Sequence, residues 1–310
     1  MFGLRYHVAS LAAVFVALAV GILLGVAVSG KLTDVGEGAE LQNVRDDNEQ
    51  LQGELEAARA EAEVATAQGE GASELFAEAY PTLMDGRLEG KNVAIIFLGP
   101  ADGNVRAEVE DALADADAGA PTRVVALDVP IDPSELTNAL EGDELLAGYA
   151  DDEGDFSDLG RDLGREVVDD DETLWTMLQS QLVEEQTGSP STPIDAAAVV
   201  TTWLPPESAG GDDDADAETE ATTSLLEGLV SGLDGSGIPV VGVAGRDDPG
   251  EVLDAYRDRG ISSIDDVDLA AGRLALALLL GGAEPGHYGF GETATDGIVP
   301  PIEPLVVEGG

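Results

Sequence analysis

Residues 92–99, NVAIIFLG, decide how this chain is to be read. Six apolar side chains in succession, between an amide and a glycine, leave no polar face to turn towards water. That is the pattern of a strand buried on both sides of a sheet. Comparable runs follow at Thr122–Val129, Ala196–Trp203, Ile238–Ala244 and Ile261–Ile264. Between them lie stretches with helical character: Asn104–Ala118, Glu172–Gln186, Ala221–Leu233 and Leu269–Leu280. Two more helices are announced by their starts. Asp132-Pro133-Ser134-Glu135 places an acid at the N-cap, proline at the first helical position and a capping-box glutamate, and Asp248-Pro249-Gly250-Glu251 repeats the pattern. Strand and helix alternate, which predicts a Rossmann-like α/β domain over residues 91–283, its sheet mostly parallel with helices on both faces. Within it, Asp151–Asp171 reads as acidic and partly irregular, and Glu207–Glu220 as an acidic mobile loop. Residues 284–310 read as a Gly/Pro-rich tail. Alternation alone leaves the strand order open.

Upstream of the domain the period changes. Leu41, Val44, Asn48, Leu51, Leu55, Ala58, Ala62 and Ala65 recur in steps of three and four, a heptad a/d series that predicts a coiled coil over residues 41–67. Asn48 falls at an a position, where a buried amide pairs with its twin and favours a parallel two-stranded coil, hence a parallel homodimer. In that arrangement Glu40 faces Arg45 of the other chain and Glu54 faces Arg59, so the segment's two arginines each meet an acid. Such exposed pairs contribute under ~1 kcal/mol and set register more than strength. The alternative is a single amphipathic helix packed on its own domain. Gly69 and Gly71 are expected to break the helix, making 68–90 a connector with a second helical stretch, Ser73–Met84, interrupted at Pro81.

Further upstream, residues 29–40 form a short polar hinge, and residues 8–28, VASLAAVFVALAVGILLGVAV, carry no charge. A run of that length spans ~30 Å of hydrocarbon as a helix. It predicts a single transmembrane anchor, with residues 1–7 in the cytoplasm behind Arg5 and the bulk of the chain beyond the cytoplasmic membrane. A cleaved signal ending near Ala27-Val28-Ser29 is the competing reading. Ala17, Gly21 and Gly25 share one stripe of the span, the small-residue spacing that lets membrane helices approach closely.

Composition narrows the function. The 310 residues hold 63 acids against 14 bases, a net charge of −49, and every acid lies after residue 31. A body so acidic repels nucleic acid and anionic lipid. With only Lys31 and Lys91 as lysines, the excess reads as a solvating shell suited to strong salt rather than as a calcium surface. There is no cysteine, so neither disulfides nor thiolate sites can form. The turn after the first strand, Gly99-Pro100-Ala101-Asp102-Gly103, is neither a dinucleotide fingerprint nor a P-loop. No nucleophile elbow occurs, and no acid–base constellation can be named. The chain therefore does not read as an enzyme, and no cofactor is evident. Copper(I) prefers thiolate and thioether and copper(II) imidazole. Beyond the span the chain offers His287, Met84 and Met177, which makes His287 the one weak metal candidate.

Two blocks carry a resemblance. Leu4-Arg5-x-His7-x-x-Ser10-Leu11-Ala12-Ala13-Val14-Phe15, with Gly21 and Gly25, looks like the N-terminus of the actinobacterial copper transport protein family, MctB-like, which includes the cell-separation protein SteB. Asp265, Asp266, Asp268, Gly281, Gly282, His287, Tyr288 and Gly289 resemble its C-terminal block. The resemblance implies copper homeostasis or export across the envelope, with copper entering by resemblance alone. It equally implies a coiled-coil envelope scaffold that works with a SteA-like membrane partner to control peptidoglycan hydrolases. The extreme acidity and Asp-rich insertions depart from the family and imply a salt-adapted member.

Overall fold

The computed structural model describes residues 17–20, 37–150, 155–169, 173–188, 192–206, 213–245 and 250–302. It divides into two units, Met1–Ser73 and Glu74–Gly310.

The second unit is built on a seven-stranded sheet. Its strands are β1 (Val93–Leu98), β2 (Arg123–Leu127), β3 (Val183–Gly188), β4 (Ala196–Thr201), β5 (Val240–Val243), β6 (Ser262–Ile264) and β7 (His287–Tyr288). The spatial order is β3-β2-β1-β4-β5-β6-β7, parallel throughout except that β3 runs antiparallel to β2. In register, Ile95 lies opposite Val124 on one side and Ala198 on the other. Successive side chains of a strand point to opposite faces, and β1 shows why its run is wholly apolar. Val93, Ile95 and Phe97 enter one core; Ala94, Ile96 and Leu98 enter the other.

The helices close both faces. After the long helix α1 (Glu37–Met84), α2 (Gly103–Asp115) and α8 (Ala270–Leu280) cover the first core, contributing Val109, Leu113 and Leu274–Leu280. The second core takes α3 (Pro133–Glu141), α4 (Ser157–Val168), α5 (Thr173–Leu182), α6 (Asp213–Asp234) and α7 (Gly250–Asp258), with Leu136, Leu163, Trp175, Leu229 and Tyr256 among its buried side chains. The start of α3 follows its sequence. Asp132 Oδ1 accepts from Ser134 N at 2.8 Å and Glu135 N at 3.0 Å, with Pro133 in the first turn.

Several expectations change. The fold class is corrected first: no helix among the described residues is long and apolar enough to cross a membrane. The one markedly apolar helix, α8, has 11 residues, about 16 Å at ~1.5 Å per residue, while the longest is studded with acids. Of the expected span, residues 17–20 are helical and the remainder of 8–28, with Gly21 and Gly25, lies outside the described residues, as do Arg5, His7 and most of the hinge. Second, Gly69 and Gly71 do not break the helix. Helix α1 runs Glu37–Met84 through both, and through Pro81. A helical glycine costs only about 1 kcal/mol against alanine, too little to interrupt 48 residues otherwise rich in Ala, Glu, Leu and Gln.

Third, Asp151–Asp171 contains α4, whose Leu159, Leu163 and Val167 are buried although charge dominates the local composition. Fourth, the helix expected over Glu172–Gln186 ends at Leu182, and Val183–Gly188 pairs with β2. The residues VEEQTG have little strand propensity; the open edge of β2 recruits them. Of the expected acidic loop, residues 213–220 belong to α6 and 207–212 lie outside the described residues, while the tail contributes β7.

Candidate functional site

The chain leaves β1 for β2 on one side and comes back to β4 on the other. Open α/β sheets bind ligands outside the carboxyl ends of the strands at such a reversal. Here backbone fills the position. A β-carbon on Gly99 (φ +135°) would stand 2.7 Å from Thr202 Oγ1 and 2.9 Å from Trp203 N. Trp203 N donates to Leu98 O, and Thr202 Oγ1 donates to Pro100 O. The N-terminus of α2, where a phosphate would sit, is capped by the chain's own carboxylate. Asp102 Oδ1 accepts from Asn104 N and Val105 N at 2.8 and 3.0 Å.

The C-terminal motif residues gather two strands further on, at the carboxyl ends of β6 and β7. Asp265 follows β6 and is buried. Its Oδ1 accepts from Phe290 N at 2.8 Å and its Oδ2 from Gly291 N at 2.7 Å, while its own N–H donates to Tyr288 O. Burial pushes the Asp265 carboxyl above the usual range, against the two N–H donors that favour its charged form; neighbouring Asp266 pushes the same way as burial. Gly289 is obligatory for this clasp. Its φ is +147°, and a side chain there would overlap the Asp265 carboxylate. Asp266 is also buried, with φ +51°, a left-handed conformation that aspartate tolerates better than most residues. Its carbonyl accepts from Leu269 N at the entry to α8, and Gly272 passes directly over it. Asp268 is exposed. Gly281 and Gly282 end α8, their N–H groups donating to Ala277 O and Leu279 O. Tyr288 is buried, and its hydroxyl donates to Glu284 O at 3.2 Å. Asp265, Asp266, Tyr288 and Gly289 thus form one structural knot, with Gly281, Gly282 and Asp268 outside it.

His287 lies on β7 beside that knot. Its Nδ1 is 2.9 Å from Ser263 Oγ, and its backbone N–H donates to Asp296 Oδ2 at 2.8 Å. Burial, then the Arg257 charge, pull the imidazole below its ordinary pKa, while Asp296 opposes them. With Nδ1 engaged by Ser263, Nε2 is the nitrogen left to meet a metal. The softer donors do not converge with each other. Met84 is buried in the core under α8, and Met177 packs against the core of the opposite face. Among the described residues no three His, Cys, Asp or Glu side chains are grouped to hold a metal ion. A metal contact at His287 would therefore be a single-imidazole contact among the described residues.

The heptad residues stand apart. Arg45, Asn48, Leu51, Leu55, Ala58, Arg59 and Ala62 are exposed on α1, with Leu51 63% and Leu55 49% accessible; the side chains of Leu41 and Val44 lie outside the described set. Ala17 is exposed on its short helical segment. Sequence reading overlooked Ser263 and Asp296, the partners of His287, since neither lies in a recognisable motif. It also overlooked four glycines, Gly160, Gly164, Gly228 and Gly232, whose spacing of four was visible in the sequence.

No curated protein matches this chain. The sequence does match the MctB family, described as "Copper transport outer membrane protein, MctB", over residues 1–299 of 310. That match takes in the long helix, the whole sheet and the Asp265–Gly289 knot, and so the chain belongs to the MctB family.

Proposed function

We propose that the protein serves copper handling in the cell envelope, with export of copper as its role and the metal as cargo. What supports the reading is the family match through residues 1–299. The donor chemistry is compatible with transient contact: two histidines, three methionines and no cysteine in the whole chain. An acidic surface also attracts cations generally, raising their local concentration without fixing any one ion. On this reading several chains act together, since one imidazole per chain makes a poor chelate. The test is a deletion strain, which should lose tolerance to copper, and whose tolerance should return with the wild-type gene. Undiminished tolerance would remove the reading.

A second reading is an envelope scaffold that works with a SteA-like membrane partner to regulate peptidoglycan hydrolases in cell separation. One observation favours it: α1 carries an apolar heptad stripe along an exposed stretch of helix. Deletion should then leave chained, unseparated cells with ordinary copper tolerance. Affinity capture from envelopes should recover a membrane partner.

A further inference from the structure

The a/d stripe of α1 does not stop where the coiled coil was expected to stop. Continued in the same frame, it places Gly69, Ala72, Phe76, Ala79 and Leu83 at successive a and d positions of one unbroken helix. The two ends of the stripe meet different fates. From Asn48 to Leu75 every side chain is exposed, including Leu51, Leu55 and Val64 at 63%, 49% and 56%. From Phe76 onward the stripe is covered by the chain's own core: Phe76, Tyr80 and Leu83 pack against it, and Met84 is fully buried in it. Phe76 and Tyr80 add a tilted ring contact at 6.0 Å, and Tyr80 Oη donates to Asp115 Oδ2 at 2.9 Å.

We propose that the exposed part of this stripe is the contact surface for a second copy of this chain, parallel and in register, and that the contact ends at Ala72 because Phe76 is already engaged in its own domain. The proposal rests on the reading of the protein as an assembly of chains and names the surface that assembles it. Three features select a second copy as the occupant. The stripe keeps a heptad period over residues 41–72, and a sustained seven-residue repeat matches a partner with the same repeat. Asn48 sits inside it at an a position. Its Oδ1 accepts from Gln52 Nε2 at 3.0 Å, which leaves a second lone pair and the amide N–H groups for its twin. The charges are complementary between chains: Arg59 is at an e position, Glu54 at the g position before it, and neither has an ion pair among the described residues of one chain. The helix is too acidic to lie on an anionic lipid surface instead.

The chain has no cysteine, so one introduced thiol reports on itself alone. Full-length Leu51→Cys, Leu55→Cys and Ala72→Cys, treated with diamide, should each run mostly as disulfide-linked dimers, since equivalent a or d positions face each other within reach of a disulfide. Gly53→Cys, on the outer face, and Ala79→Cys, half-buried between the core-packed Phe76 and Leu83, should remain monomeric on the same gel. Cross-linking at Ala79 equal to that at Ala72 would overturn the limit at Phe76. Absence of cross-linking at Leu51 and Leu55, or equal cross-linking at Gly53, would overturn the dimer, whether the seam is empty or holds another protein. The copper phenotype of a deletion strain is independent of this gel, so either reading can fail alone.

Discussion

Gly164 of α4 and Gly232 of α6 pack backbone against backbone: a β-carbon on Gly164 would stand 3.1 Å from the Cα of Gly232 and 2.9 Å from Leu233 N. From the other side, a β-carbon on Gly232 would stand 3.0 Å from the Cα of Arg161, and the pattern repeats one turn away. A β-carbon on Gly160 would stand 2.8 Å from Leu229 N, and one on Gly228 would stand 2.9 Å from the Cα of Ser157. Two helices of the sheet domain thus cross at the close range more familiar from small-residue contacts in membranes. The closeness lets Leu159, Leu163, Leu225 and Leu229 reach the sheet from both helices at once. Gly164→Ala and Gly232→Ala should each destabilise the domain by roughly 1–3 kcal/mol, the usual cost of overpacking. Gly148→Ala, with no atom near its added methyl, should change stability by less than about 0.5 kcal/mol. Urea unfolding of the three variants checks this; equal midpoints would show that the helices can move apart freely.

The Asp265 clasp should govern how firmly residues 286–302 hold to the sheet. Asp265→Asn keeps one acceptor but turns an amide N–H towards a backbone N–H, leaving a buried donor unpaired at a cost of about 1–3 kcal/mol. Gly289→Ala should do at least as much damage, because its methyl has no room beside the carboxylate. Hydrogen exchange should show faster amides at Phe290 and Gly291 in both variants. Unchanged protection would mean that the segment is held elsewhere, for example by the hydrogen bond from Arg257 Nη2 to Thr293 O.

Acid and neutral pH should act on two groups in opposite senses. The folded pKa of His287 lies below its ordinary 6.5, so the unfolded chain takes up a proton first as pH falls. Its stabilising contribution is present above 6.5 and is lost as pH drops through the folded value. The folded pKa of Asp265 lies above the ordinary 3.8. Its contribution is present below 3.8 and is lost as pH rises through the raised value. Urea unfolding from about pH 3 to about pH 8, a range that brackets both groups, should show His287→Gln flattening the slope just below 6.5. Asp265→Asn should flatten it upward from 3.8. A His287 variant with the wild-type slope would contradict the assignment.

Salt should stabilise the protein. Sixty-three acids against fourteen bases repel one another across a single chain, and among the described residues the ion pairs of Arg106, Arg161, Arg165, Arg257, Arg259 and Arg273 engage only a few of those acids. At ~1 M salt the screening length falls to about 3 Å, which removes most of the repulsion between exposed carboxylates. The thermal midpoint should therefore climb steadily from low salt into the molar range. A flat or falling curve would reject the reading of the acidic excess as a shell adapted to strong salt.

The central strands were legible because burial on two faces leaves an unmistakable apolar run; β1, β2, β4 and β5 lie within the stretches expected. What escaped was set by neighbours. VEEQTG becomes a strand because β2 has an unpaired edge, and His287-Tyr288 becomes one because β6 does. Helix α4 hid among acids because two of its six buried residues are glycine, and hydropathy scores glycine as neutral. The Asp265 knot was visible as a motif but not as a clasp, since its donors are backbone N–H groups 25 and 26 residues downstream.

Copper handling by this MctB-family protein is a proposal that the copper tolerance of a deletion strain decides. Growth across a copper series should fall in the deletion strain, recover with the wild-type gene, and recover only in part with His287→Ala, while cell separation stays normal. Ordinary copper tolerance together with chained, unseparated cells would contradict the claim and leave the scaffold in its place.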